Sequence, residues 1–289
     1  MQIMRRTLPL ITIAFAVFII FLLNKTRNGL PVEVHPLKYF DPSAFYLGVS
    51  QADQKNDSFG SHISGGVVPH HLFAGFLISD FFEKLKRQQP KTLIIMGPNH
   101  NEVGGFKVLT STYGWQTPFG IVNPDSQTIL DLVDKNYVKV DDSVMAEDHA
   151  VSGLMPYVKY YLPNTEVVPV LLSGYMSQKE LETFVGGLQD YLGKDTVLVA
   201  SVDFSHGLNN QQAQENDNLT LQSLTDFNYP QLLEMDSKYL DSSSSIVTLL
   251  MAMRESGTDT MGVLEHTNSG EMVGNNSVET TSYFSIVLW

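Results

Sequence analysis

The sequence has no cysteine, which excludes disulfide scaffolds, Cys-ligated zinc, iron–sulfur clusters and thiol nucleophiles. Any metal this chain holds must be bound by His, Asp, Glu, carbonyl or water oxygen. Positive charge is scarce: 18 Lys and Arg stand against 31 Asp and Glu, a formal net charge of −13 at pH 7. A surface of that sign repels phosphate backbones, which excludes a sequence-reading nucleic-acid binder. Internal repeats are absent, and the one low-complexity tract is the serine run 242–245. Apolar residues, by contrast, make up 43% of the 289 positions, enough to bury a globular core and too many for a disordered chain.

One long run lacks charge altogether. Residues 7–23 (TLPLITIAFAVFIIFLL) lie between Arg5 and Arg6 on one side and Lys25 and Arg27 on the other, with no acid nearby. As a helix the run spans roughly 25 Å, slightly less than the ~30 Å hydrocarbon core, a gap that flanking Lys and Arg close by snorkelling. It also has the length of a signal-peptide core, but it ends in Leu22-Leu23-Asn24-Lys25 with no small-x-small cleavage site. An uncleaved membrane anchor is expected over 1–27, with the basic tail cytoplasmic and the globular part extracytoplasmic. Residues 28–57 contain Gly29, Pro31, Pro36 and Pro42 and little periodicity, so they read as a linker and lead-in segment before a folded domain at 58–289.

Short apolar runs then alternate with helical periodicity, which predicts an α/β fold: three layers, with a largely parallel central sheet flanked by helices. Residues 65–68 form a short strand ending at Pro69-His70-His71, and 72–85 repeat apolar residues at helical spacing before Pro90. A buried strand over 92–96 runs into Gly97-Pro98-Asn99-His100. Residues 167–172 make a third strand, which Pro169 places at an edge or a bulge. A helix over 178–191 leads to a fourth strand, 196–202, that ends in Asp203-Phe204-Ser205-His206-Gly207. Ligands of open α/β sheets gather beyond the carboxyl ends of strands, so His70, His100 and His206 can converge from distant parts of the chain. His35, His62 and His266 have no supporting context.

Pro69-His70, Gly97-Pro98-Asn99-His100, Glu147-Asp148-His149, Asp203-Phe204-Ser205-His206-Gly207 and Asn268-Ser269-Gly270, in this order and spacing, resemble the Memo family. Bacterial and archaeal members of that family are called AmmeMemoRadiSam system protein B. The resemblance runs from about Gly65 to the C-terminus, with support from Thr117-Pro118-Phe119-Gly120 and the tail 283–288. It implies the fold of class III extradiol dioxygenases and a non-haem metal held by two histidines and one further ligand. The family pattern carries the histidine ligands onto His70 and His100, with His71 as the fallback for the first, because the usual Pro-His-Ala-Gly-Tyr here reads Pro69-His70-His71-Leu72-Phe73.

A late Cys-Gly-Arg segment of the family is replaced by Asp241-Ser242-Ser243, which puts Asp241 at the cysteine position. Two His and one carboxylate with open positions suit Fe(II) and also accommodate Zn(II) or Mn(II), whereas losing a thiolate removes the ligand favouring Cu(I). Asp241 is equally a good N-cap for the helix that follows, a role that needs no metal. The resemblance makes His206 the acid/base near the metal and places Glu147 and His149 in the pocket wall or just behind the ligands; Asp203, three residues before His206, either orients a histidine or a water or, with Ser205, only bonds the turn at the strand end. A metal-dependent, dioxygenase-like oxidoreductase acting on a small-molecule substrate is the expectation. The alternatives are a non-catalytic metal- or ligand-binding protein and a metal-assisted hydrolase. No protein partner is indicated.

Overall fold

The computed structural model describes residues 33–55, 59–275 and 277–289. In chain order they form β1 (Val34–His35), α1 (Pro42–Lys55), β2 (Gly65–Val68), α2 (Gly75–Lys86), β3 (Thr92–Pro98), β4 (Val108–Thr110), β5 (Gly114–Thr117) and β6 (Gly120–Val122). Then come α3 (Ser126–Asp134), β7 (Lys139–Val140), α4 (Asp142–Glu147), α5 (His149–Ser152), α6 (Met155–Tyr161), β8 (Glu166–Leu172) and α7 (Gln178–Leu188). The remainder is β9 (Thr196–Ser201), β10 (Phe204–Leu208), α8 (Asn210–Thr225), α9 (Tyr229–Glu234), α10 (Ser243–Glu255), β11 (Met261–Asn268), α11 (Ser269–Met272) and β12 (Thr280–Leu288).

The main sheet has the order β10-β12-β2-β9-β3-β8-β4-β7, with β11 on the other side of β12. Its centre, β2-β9-β3-β8, is parallel. Antiparallel pairing extends it through β12, β10 and β11 at one side and through β4 at the other. Strand alternation supplies both faces: β3 sends Ile94 and Met96 into one apolar layer with α7 and α10, and Leu93 and Ile95 into the opposite layer with α1, α2 and α6. This is the expected three-layer α/β fold, with antiparallel flanks added to a parallel centre.

Pro169 does not sit at an edge, because β8 lies between β3 and β4. Its neighbour two residues back, Val167, donates its N–H to Asn123 on the β4 side of the strand, so the missing N–H of Pro169 faces that side too. Pairing with β4 begins only at Val170, and the Thr110 hydroxyl donates to the Pro169 carbonyl there. Proline thus occupies a gap in the ladder where no N–H is needed.

The membrane-anchored, extracytoplasmic placement is withdrawn. No helix among the described residues is long and apolar enough to cross a membrane. The 16-residue α8 is shorter than the roughly 20 apolar residues a spanning helix needs and is rich in Gln and Asn. The stretch 7–23 on which that expectation rested lies outside the described residues.

Residues 34–289 form one compact unit, and α1, inside the stretch read as linker and lead-in segment, belongs to it. Phe45 of α1 is buried, stacked on Phe119 and tilted against Tyr157. Gly48 lets α1 approach α2: a Cβ there would stand 2.5 Å from the Gly75 carbonyl oxygen. Helix propensity favours alanine over glycine by ~1 kcal/mol, but a backbone oxygen cannot rotate away, and overpacking costs about 1–3 kcal/mol. Gly48→Ala is therefore expected to lower the urea midpoint of unfolding. An unchanged or raised midpoint would show that α1 does not pack on α2.

Candidate metal centre

Because β2, β3 and β9 run parallel and in register, they deliver their successors to one sheet edge. His70, His100 and Asp203 each stand two residues past the end of their strand. The His70 and His100 rings lie 5.1 Å apart between centroids. Asp241 joins them from the far end of the chain: its N–H donates to the Asp203 carbonyl at 3.0 Å, and its Oδ1 accepts from the Asp203 N–H at 3.3 Å.

Neighbouring groups decide which ring nitrogen of each histidine is free. His100 Nδ1 meets Asp148 Oδ1 at 2.9 Å, so the ring donates there and its Nε2 lone pair is available. His70 Nδ1 is 3.3 Å from Ser201 Oγ, whose own proton goes to the Ala150 carbonyl. The serine oxygen therefore accepts from His70, which again leaves Nε2 free. Both nitrogens face one atom: Asp241 Oδ2 lies 3.1 Å from His70 Nε2 and 3.9 Å from His100 Nε2. That oxygen is buried and accepts no hydrogen bond, although the 3.1 Å contact is short enough for an ion pair. These side chains have the chemistry of metal ligands, but His70, His100 and Asp241 do not form one of the groups whose ligand atoms all lie within 4.8 Å of one another among the described residues.

Asp241 is free for this because it does not cap α10. Ser242 is the N-cap, its Oγ accepting from the Ser245 N–H. Asp241 stands one residue outside the helix, with its side chain turned to the histidines.

His149, placed by sequence in the pocket wall, stacks on His100 with centroids 4.4 Å apart. Two groups have ligand atoms within 4.8 Å of one another: His70, His100 and His149, and His70, Asp203 and Asp241. Glu147, by contrast, is at the surface, paired with Lys38. The reason is a break between α4 and α5: Asp148 turns inward instead, capping α5 through the Ala150 N–H while its other oxygen accepts from the His100 N–H. Sequence reasoning passed over Asp148. Its place directly before an apolar helix start was the available signal, since an N-cap aspartate has one oxygen to spare.

Asp203 Oδ1 accepts from the N–H groups of His70 and, at 3.5 Å, His71, while Oδ2 is 3.6 Å from His70 Nε2. His206 lies on β10 in neither ligand group; its N–H donates to the Ser237 carbonyl and its Nδ1 is buried without a partner. His71 Nδ1 is 2.6 Å from the Tyr283 hydroxyl. Away from this edge, His266 pairs with the buried Asp217, and His35 with Ser111.

Burial alone would lower the pKa of His70, but the charges of Asp203 and Asp241 outweigh it and raise it to about 9. Burial, reinforced by the charges of His70 and His100, pushes His149 down to about 4. Burial opposes ionisation of Asp148, yet its bond to His100 holds it below the usual carboxylate range.

These shifts make a prediction for the metal-free protein. A folded-state pKa of about 9 for His70, against 6.5 for the free side chain, adds stability that is complete below pH 6.5 and lost as pH rises through 9. The Tm of chelator-treated protein is expected to fall between pH 6.5 and 9, and to fall less in His70→Gln. Equal slopes in the two proteins would mean that His70 holds no extra proton.

A family model described as Memo-like protein matches residues 54–287. A MEMO1 family protein of Pyrobaculum aerophilum is 25% identical over 240 residues, covering 80% of this chain and 85% of that protein. One of Methanopyrus kandleri is 27% identical over 251 residues, covering 83% and 88%. Among solved structures, an uncharacterized protein from Escherichia coli K12 aligns with a TM-score of 0.51 at 13% identity, covering 76% of this chain and 99% of that one, a likeness of fold alone. Since the family model takes in the central sheet and every residue of the site, the chain belongs to the Memo family.

Proposed function

We propose that His70, His100 and Asp241 bind one divalent metal ion, Fe(II) by the chemistry of the donor set, in a metal-dependent oxidoreductase acting on a small substrate. The observation that carries this reading is Asp241 Oδ2, buried 3.1 Å from His70 Nε2 and 3.9 Å from His100 Nε2. When bound, such an ion supplies Lewis acidity and one-electron chemistry. The chain's own part is to orient and to move protons. Asp148 and Ser201 hold the two ligand rings. His206 has a ring nitrogen with no other claim on it, as an acid/base needs if it is to take a hydroxyl proton from a substrate and return it. His149, at a pKa of about 4, stays unprotonated at neutral pH and so adds no positive charge beside the ligands.

A second ligand set is favoured by a specific observation: His149 also brings a ligand atom within 4.8 Å of His70 and His100. Elemental analysis and metal titration of four variants separate the two. Asp241→Asn is expected to lose the metal, and Asp148→Asn, which removes only the outer acceptor of His100, to weaken it roughly 10- to 100-fold. His149→Ala should retain it. Loss in His149→Ala with retention in Asp241→Asn would transfer the ligand role to His149. His206→Ala is expected to keep its metal and lose oxygen-dependent turnover of a catecholic probe; turnover of an ester probe without oxygen would favour the hydrolase instead.

A further inference from the structure

His71 is the reverse of its neighbour. Where Ser201 accepts a proton from His70 Nδ1, the Tyr283 hydroxyl stands 2.6 Å from His71 Nδ1. Tyr283 is fully buried on β12, in a small apolar cluster with Ala74, Leu77, Phe76 and Met272, and its phenol proton needs an acceptor. With Nδ1 accepting that proton, the hydrogen of the imidazole sits on Nε2. Nε2 then has no lone pair for a metal, which removes His71 as a ligand and leaves it as a hydrogen-bond donor.

The donor is held firmly and its surroundings are mixed. The backbone N–H groups of residues 70 and 71 both reach Asp203 Oδ1, and the Tyr283 ring lies nearly parallel to the His71 ring at 16°. His71 is exposed, and Nε2 makes no hydrogen bond among the described residues. The exposed Phe73 ring, 6.3 Å away between centroids, forms one wall of a groove of about 510 Å³ that Leu47, Phe76 and Met272 also line, with Asp41 and Gln51 at its polar side. His71 is thus next in sequence to the candidate ligand His70 and beside Phe73, which borders the apolar groove.

We infer that His71 anchors substrate in this chain: its Nε2–H binds an sp² oxygen, of a carboxylate or a carboxamide, on a small molecule whose apolar body lies against Phe73. Tyr283 is its positioning residue, setting which nitrogen carries the hydrogen. This rests on the reading of the sheet edge as a small-substrate site, but it does not depend on which residues ligate a metal.

Two measurements on the full chain, zinc-loaded so that no redox chemistry intervenes, test it. With histidine labelled by ¹⁵N, His71 is expected in the Nε2–H form, and Tyr283→Phe to convert it to a mixture of tautomers. Calorimetric titration with 3-phenylpropanoate and with 3-phenylpropanamide is expected to show binding of at least one. Binding of the acid alone identifies a carboxylate, and binding of both a neutral acceptor. His71→Ala should weaken binding roughly tenfold, the size of one lost hydrogen bond, with zinc content unchanged. His71→Gln, which keeps a donor, should recover part of the loss. An Nδ1–H tautomer in the unaltered protein, equal affinity in His71→Ala, or no binding of either probe overturns the inference. If the chain retains no zinc, the metal reading fails separately, and the same titrations on the metal-free protein still decide the role of His71.

Discussion

Burying an ionised carboxylate costs several kcal/mol unless opposite charge is supplied beside it, and Asp241 Oδ2 is buried against the rings of His70 and His100. Two states satisfy it. In the metal-free protein the opposite charge is a proton on His70, which is why that imidazole titrates at about 9 despite complete burial. With a divalent cation bound, the proton must leave, because a ligand nitrogen needs its lone pair. A metal ion at this place would therefore compete with that proton.

Around that place the structure sorts its histidines by where their hydrogens sit. Asp148 and Ser201 accept from the Nδ1 atoms of His100 and His70 and so turn both Nε2 atoms toward Asp241. One residue along the same loop, His71 Nδ1 meets the Tyr283 hydroxyl instead. Adjacent residues of identical type thus take different partners, each more than a hundred positions away. His149 is governed by burial and by its charged neighbours and remains neutral.

The parallel centre of the sheet is what makes the sorting possible. Strands paired in register end at the same level, so a residue two positions past each end lies within reach of its counterparts on the neighbouring strands. The antiparallel flank contributes a different kind of residue: β12 carries Tyr283 and pairs with β10, which carries His206. His70, His71 and His100 follow the parallel strands, while His206 and Tyr283 come from the flank.

The sequence by itself determined the framework: apolar alternation and helical spacing marked β2, β3, β8, β9, α2 and α7, and the placement of His70 and His100 after apolar runs marked the edge where they meet. These signals are local, since side-chain period is a property of a few consecutive residues. What the sequence could not carry was the direction of each side chain once several carboxylates and imidazoles compete. Glu147 was expected inward and Asp148 was passed over, yet the break between α4 and α5 turns Asp148 in and leaves Glu147 with Lys38 at the surface. Asp241 read equally well as cap or ligand until Ser242 took the cap. Pro169 read as an edge until the gap between Thr110 and Pro124 showed how an interior strand can do without one N–H. In each case the deciding partner lies far along the chain, so only tertiary structure, which sets distances between residues remote in sequence, could choose.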